Sequence, residues 1–220
     1  RPTCQLWFEK NQPEKALPKP TTFVMNMMLG DIVESVFKAL LTEAGVSYED
    51  NSKVTLKLED DEISGEYDLV IDDAVDDVKS ASDWSYRNKF ASYDTLAQGD
   101  SFGYVSQLAG YARAADKKAG GWWVVNKANG EFKYVKANIH LDEEISKIQN
   151  TVDVIKDNTF KRCFEPVPET WRGKETGNMV LNDNCRFCSY KFSCFPTLQE
   201  KPAKYSQAKE PRMVSYVHEK

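Results

Sequence analysis

Residues 65–79 read Gly-Glu-Tyr-Asp-Leu-Val-Ile-Asp-Asp-Ala-Val-Asp-Asp-Val-Lys. The Asp72-Asp73 pair separates two runs rich in Val, Ile and Leu, so the spacing predicts two strands, Ser64 to Asp72 and Ala74 to Ser80, joined by a tight turn. Side chains alternate along a strand, so Asp77 and Lys79 leave one face while Val78 points the other way, into a core. The short hairpin brings Asp68 of the first strand within reach of Asp77. Two carboxylates on neighbouring strands repel each other unless something neutralises them, and a hard divalent cation does so with oxygen ligands and retained water.

Outward from this hairpin the pattern is layered. Upstream, Met28, Leu29, Ile32, Val33, Val36, Phe37, Leu40, Leu41 and Ala44 recur at steps of three and four, which predicts a long helix from Met25, stopped at Gly45. Val54, Leu56 and Leu58 alternate with polar residues as a half-buried strand. Downstream, a helix is expected over about Phe102 to Lys118, ended by Gly120 and Gly121. Trp122 to Asn126 and Glu131 to Lys136 flank an Asn129-Gly130 turn, and a further helix near Asp142 to Asp157 carries Ile145, Ile148, Val152 and Ile155 on one face. The order implies an α/β domain in which helices cover a mixed sheet. The expected organisation is a single domain over 1–200 with its core at about 22–162, followed by a weakly ordered tail over 201–220.

A chain of 220 residues, 41% hydrophobic and 29% charged, can bury one large core and stay in water. No apolar stretch approaches the ~18 residues of a membrane span, and no leader-like segment opens the chain, so a cytoplasmic protein without membrane contact is expected. The net charge of −5 argues against a polyanion partner until its distribution is considered. Ten acids fall between Glu59 and Asp77 with no Lys or Arg among them, and the remainder holds 24 acids against 29 bases, a balance of +5. One acidic strip in a mildly basic body suits a cation site beside a polyanion groove, although two solvated acidic turns give the same count. No Gly-rich nucleotide loop of the G-x-x-x-x-G-K-[ST] type is present, which excludes an ATP-driven motor of that type in this chain.

Gly65-Glu66-Tyr67-Asp68 followed by Asp77-Val78-Lys79 resembles the PD-(D/E)XK nuclease signature in the form used by RecB-type exonucleases. Gln107 and Tyr111, one helical turn apart, resemble the glutamine-to-tyrosine motif of that group, and Gly30 with Glu34 resembles its early acidic or histidine metal ligand. No proline precedes Asp68, the second acid is Asp, and position 34 is Glu where several relatives have His. The resemblance implies a restriction-endonuclease-like core and a DNA exonuclease acting on single strands or duplex ends, leaving 5′-phosphates. Glu34, Asp68, Asp77 and the Val78 carbonyl would then hold Mg²⁺ or Mn²⁺. Lys79 would orient the attacking water, and Gln107 and Tyr111 would position the site or the strand. Trp84, Tyr86, Arg87 and Lys89 are candidates for gripping a single strand. The motifs equally allow a structure-specific endonuclease, and a silent DNA-binding or assembly module is the rival from another class.

Cys185, Cys188 and Cys194 form C-x2-C-x5-C, with Cys4 far upstream and Cys163 apart. Without an export signal a disulfide framework fits poorly, and ligation of a soft metal is the better reading. One cysteine before the core and three after it resembles the iron-sulfur staple of AddB-type and CRISPR-associated exonucleases. That resemblance implies a [4Fe-4S] cluster on Cys4, Cys185, Cys188 and Cys194, with Cys163 an ordinary buried thiol. Zinc is the rival ion and could take Cys163 in place of Cys4. A phage or a CRISPR-adaptation setting would suit a free-standing copy.

Overall fold

The computed structural model describes residues 1–157 and 159–220. The chain divides into two compact units, residues 20–153 and residues 1–19 with 154–220. In the first unit, helix α2 (Thr21–Glu43) precedes strands β1 (Glu49–Lys57), β2 (Glu62–Ile71) and β3 (Ala74–Ala81). Helices α3 (Tyr93–Gln98) and α4 (Tyr104–Ala114), strands β4 (Lys118–Asn126) and β5 (Phe132–Lys136), and most of helix α5 (Leu141–Lys156) follow. The strands form one sheet in the order β1-β2-β3-β4-β5, parallel only between β3 and β4. This is the expected mixed sheet flanked by helices.

The turn between β2 and β3 has Asp72 and Asp73 at φ 49° and 61°. Both lie in the left-handed region that Asp tolerates because its short side chain bonds locally, and this conformation reverses the chain in two residues. The sheet then buries both faces. Val75, Trp122, Val124 and Leu108 pack on one, and Phe37, Leu41, Leu69 and Val78 on the other, where α2 lies. The long helix thus uses only part of its apolar stripe: Phe37 and Leu41 are buried, whereas Met28, Leu29, Ile32, Val36 and Leu40 stand exposed, Ile32 at 56%. The three-and-four periodicity identifies the helix correctly, but a stripe this wide exceeds the surface that one sheet face can cover.

Gly120 and Gly121 do not end a helix; they lie inside β4, and α4 stops at Ala114. Their role is close approach. A Cβ on Gly120 would collide with the Asp76 carboxylate, and one on Gly121 with the Val135 carbonyl.

The second unit contains helix α1 (Thr3–Asn11), strands β6 (Val167–Trp171) and β7 (Lys174–Val180), the short helix α6 (Lys191–Cys194), and strands β8 (Gln199–Pro202) and β9 (Met213–His218). Its four strands form a second sheet in the order β6-β7-β9-β8. The expected tail, 201–220, therefore contains β9 and the end of β8. Tyr216 of β9 is buried, and its hydroxyl donates to Glu169 at 2.9 Å. Pro202 and Pro211 precede the segment and disguise the alternation of Met213-Val214-Ser215-Tyr216-Val217. Among the described residues no helix is long and apolar enough to cross a membrane.

Candidate active site

Strands β2 and β3 pair through Ile71↔Ala74, Val70↔Val75 and Leu69↔Asp76, and there the ladder ends. At the next position the Val78 N–H donates to the Asp68 side chain, Oδ2, at 2.7 Å. A carboxylate thus takes the place of a strand carbonyl, and Asp68 lies beside Asp77 where the backbones stop pairing. β3 continues in register with β4 through Asp77↔Trp122, Val78↔Trp123 and Lys79↔Val124, which holds the D-V-K segment straight. Asp77 is only 4% exposed, and Lys79 Nζ stands 2.5 Å from its Oδ2. That oxygen accepts no hydrogen bond from elsewhere among the described residues.

Burial and the neighbouring Asp77 charge push the Asp68 carboxyl up to about 6, against the opposing pull of Lys79 and the Val78 N–H. Burial works against the Lys79 ammonium, but Asp77 and Asp68 outweigh it and hold the amine above its usual range. The two carboxylates therefore favour the protonated form of Lys79. Two acids and one ammonium share one low-dielectric place, which leaves the trio with a negative balance once Asp68 ionises.

Glu34 is not drawn into this trio. Its carboxylate takes Lys38, one turn along α2, at 2.6 Å, and Lys38 also reaches Asp50 at 2.8 Å. The Lys38 charge extends to Asp68 and lowers its pKa slightly, so the two clusters adjoin. Gly30 lies against Ser80 of β3, where an added Cβ would meet the hydroxyl at 3.8 Å. Gln107 donates to the Tyr111 hydroxyl at 3.0 Å across one turn of α4, as the spacing requires. The Tyr111 ring lies over Gly65, and a Cβ there would stand 2.6 Å from Cε1, so the glycine of the G-E-Y-D segment makes room for the tyrosine.

Among the described residues, no three Asp, Glu, His or Cys side chains converge closely enough to cage a metal ion. The Asp68–Asp77 pair alone suits Mg²⁺ or Mn²⁺, ions commonly held by one or two carboxylates and otherwise by water and phosphate. Glu34, bound to Lys38, does not extend that donor set in this arrangement.

The acidic strip is not one feature. Asp76 is 3% exposed and accepts from Trp123 Nε1 at 3.0 Å and the Tyr134 hydroxyl at 2.9 Å. It holds the β3–β4–β5 core together, whereas Asp60, Glu62, Glu66, Asp72 and Asp73 face solvent. Of the proposed strand-gripping residues, Arg87 pairs with Asp83 at 3.0 Å, Trp84 is exposed, and Lys133 lies over the Tyr86 ring. Two residues near the site escape the motif search. Lys38 could have been read from the Glu34/Lys38 spacing of four, and Tyr104 from its place three residues before Gln107 on the same helix face.

In the second unit, Cys4 forms a disulfide with Cys163, their Cα atoms 5.7 Å apart. Cys163 is therefore not a lone buried thiol, and Cys4 is not free to join the other three. Cys185, Cys188 and Cys194 lie within electrostatic reach of one another. Burial, then the two neighbouring sulfurs, raises Cys185 to about 11, and burial likewise raises Cys188 and Cys194. Three thiols without a free fourth cysteine do not fit a closed four-thiolate site in this form; a site that uses Cys4 or Cys163 would first require their bond to be reduced.

No protein-family model matches the chain, and no curated protein matches it. Among solved structures it is similar to the crystal structure of SSO0001, at a TM-score of 0.44 and 11% identity, over 69% of this chain and 71% of that one.

Proposed function

We propose that the chain is a Mg²⁺- or Mn²⁺-dependent deoxyribonuclease, an exonuclease acting on single-stranded DNA or DNA ends, built on a restriction-endonuclease-like core. The observation that carries this reading is the position of Asp68 beside Asp77 where β2 and β3 cease to pair, with Lys79 Nζ 2.5 Å from Asp77. A divalent ion on Asp68 and Asp77 would supply an activated water and offset charge on the phosphate oxygens. The remaining steps belong to the chain itself. Asp68 must lose the proton it tends to keep below pH 6, which ties ion binding to pH. Lys79, held protonated, donates to the oxygen on which negative charge develops. Gln107, bonded to Tyr111, and Tyr111, seated on Gly65, position the strand along α4. Products would carry 5′-phosphates.

A silent DNA-binding or assembly module is the second reading. What favours it is that Lys38 and Lys79 already neutralise Glu34 and Asp77 from within. Incubating 5′- and 3′-labelled linear single strands, duplexes and a closed circle with Mn²⁺ separates the readings. The expected result is end-dependent loss of label, abolished by Asp77→Asn in a folded protein. Cleavage of the circle assigns an endonuclease, and equal cleavage by parent and variant removes the site.

The cysteine group is proposed to be a structural metal–thiolate tie of the second unit, [4Fe-4S] or zinc, formed after reduction of Cys4–Cys163. Its role would be stability rather than chemistry at Asp77.

A further inference from the structure

Beside the carboxylates lies a second set of groups that the motif leaves unused. Tyr104, at the start of α4, has Lys79 Nζ 5.3 Å from its ring centroid and Lys89 Nζ 4.5 Å from the same centroid. Lys89 stands equally 4.5 Å over the ring of Phe102, which stacks on Tyr104 at 5.6 Å and 13°. Phe90 backs Tyr104 at 5.9 Å. Tyr104 thus links Lys79, beside the acids, to Lys89 and Phe102, and Phe102 is 63% exposed.

Two features distinguish this row from ordinary surface packing. Lys89 makes no ion pair among the described residues, although it is half-buried; burial lowers its pKa and only the distant pull of Asp100 opposes that. The Asp100 carboxylate is itself occupied, accepting from the Gly103 and Val105 N–H groups at 2.9 and 2.8 Å. A desolvated cation without an ion-paired carboxylate, set against two stacked aromatic rings, is complementary to an anion attached to a flat apolar group. A nucleotide within a single strand has both parts, and a duplex hides its base faces.

Resting on the nuclease reading above, we propose that Lys89, Phe102 and Tyr104 form a subsite for the nucleotide adjoining the reacting phosphate in single-stranded DNA, its base stacked on Phe102 and its phosphate at Lys89. Selectivity for single strands would then come from this row rather than from the carboxylates.

The test is binding rather than cleavage, done on the full chain in EDTA with a fluorescent oligothymidylate and a duplex of equal length. Phe102→Ala, whose ring is mostly in solvent, is expected to weaken single-strand binding by about tenfold or more while leaving duplex binding unchanged. Lys89→Gln is expected to weaken it and to flatten the log K against log salt slope by about 0.7, the value of one phosphate contact on a single strand. Melting curves within a few degrees of the parent keep misfolding apart from lost affinity. Parental single-strand affinity in both variants, no measurable single-strand affinity in the parent, or equal weakening toward duplex would each overturn the subsite. A parallel Mn²⁺ assay with Asp77→Asn reports separately on the nuclease reading, which stands or falls by loss of cleavage in that variant alone.

Discussion

Asp68 is the residue on which pH, charge and proposed chemistry meet. Its carboxyl, raised to about 6 by burial and by Asp77, compares with about 4 in an unfolded chain. The folded state therefore holds this proton more tightly, so the stability it contributes without metal is present at low pH and lost as pH rises from about 4 through 6. Asp68→Asn should remove that loss, making the metal-free variant more stable than the parent by ~1–3 kcal/mol at pH 7 and much less so at pH 4. Urea unfolding in EDTA at the two pH values checks this, and an unchanged difference between them would contradict the shift. Mn²⁺ binding should show the opposite face of the same group. Calorimetry on the parent should find affinity climbing through pH 5 to 7 with proton release, and Asp68→Asn should lose both the affinity and the slope. The sequence made this pair legible, because strand alternation and a two-residue turn leave Asp68 and Asp77 little choice. It did not reveal that Lys38 takes Glu34, since an (i, i+4) pair within a helix is as readable as a ligand in waiting.

At the scale of elements, α2 and the glycines Gly65, Gly120 and Gly121 show how packing sorts identical-looking residues. Phe37 and Leu41 meet Leu69 and Val78 under the sheet, whereas Ile32 and Leu40, equally apolar, do not. Phe37→Ala should cost ~3–5 kcal/mol and Ile32→Gln or Leu40→Gln only ~0.5 kcal/mol, measured by chemical denaturation. Equal costs would mean that the exposed side of α2 is covered in solution. Gly65→Ala is the sharper probe of the site, because the new methyl must push Tyr111 aside. A cost of ~1–3 kcal/mol together with reduced cleavage is expected, and full activity would show that Tyr111 is not held there for function. Periodicity located α2, the β2–β3 hairpin and the β4–β5 hairpin, since each repeats its pattern over several residues. It misplaced Gly120 and Gly121, because a glycine that ends a helix and one that admits a neighbouring carboxylate look the same until the partner, Asp76, is known.

At the scale of the whole molecule, the two units rest on different kinds of restraint. Residues 20–153 are held by a double-faced sheet, while residues 1–19 and 154–220 join the ends of the chain through α1, a four-stranded sheet and the Cys4–Cys163 bond. Nothing in the sequence announces that pairing, because the two cysteines are 159 positions apart and only the fold brings Cys4 to Cys163. A cross-link closing so long a loop removes much denatured-chain entropy, up to ~5 kcal/mol in the chain-entropy limit. Cys163→Ser should therefore lower the stability of the oxidised, metal-free protein by a few kcal/mol, and thiol titration under denaturant should rise from three groups per oxidised parent chain to four in the variant. If the thiolate tie is also real, Cys4 has two exclusive partners. Reduced protein given iron and sulfide without oxygen should then turn brown, with iron retained in Cys163→Ser and lost in Cys4→Ser. Equal iron in both variants would mean that Cys4 belongs to the disulfide alone, and the three thiols of Cys185, Cys188 and Cys194 would need another fourth ligand.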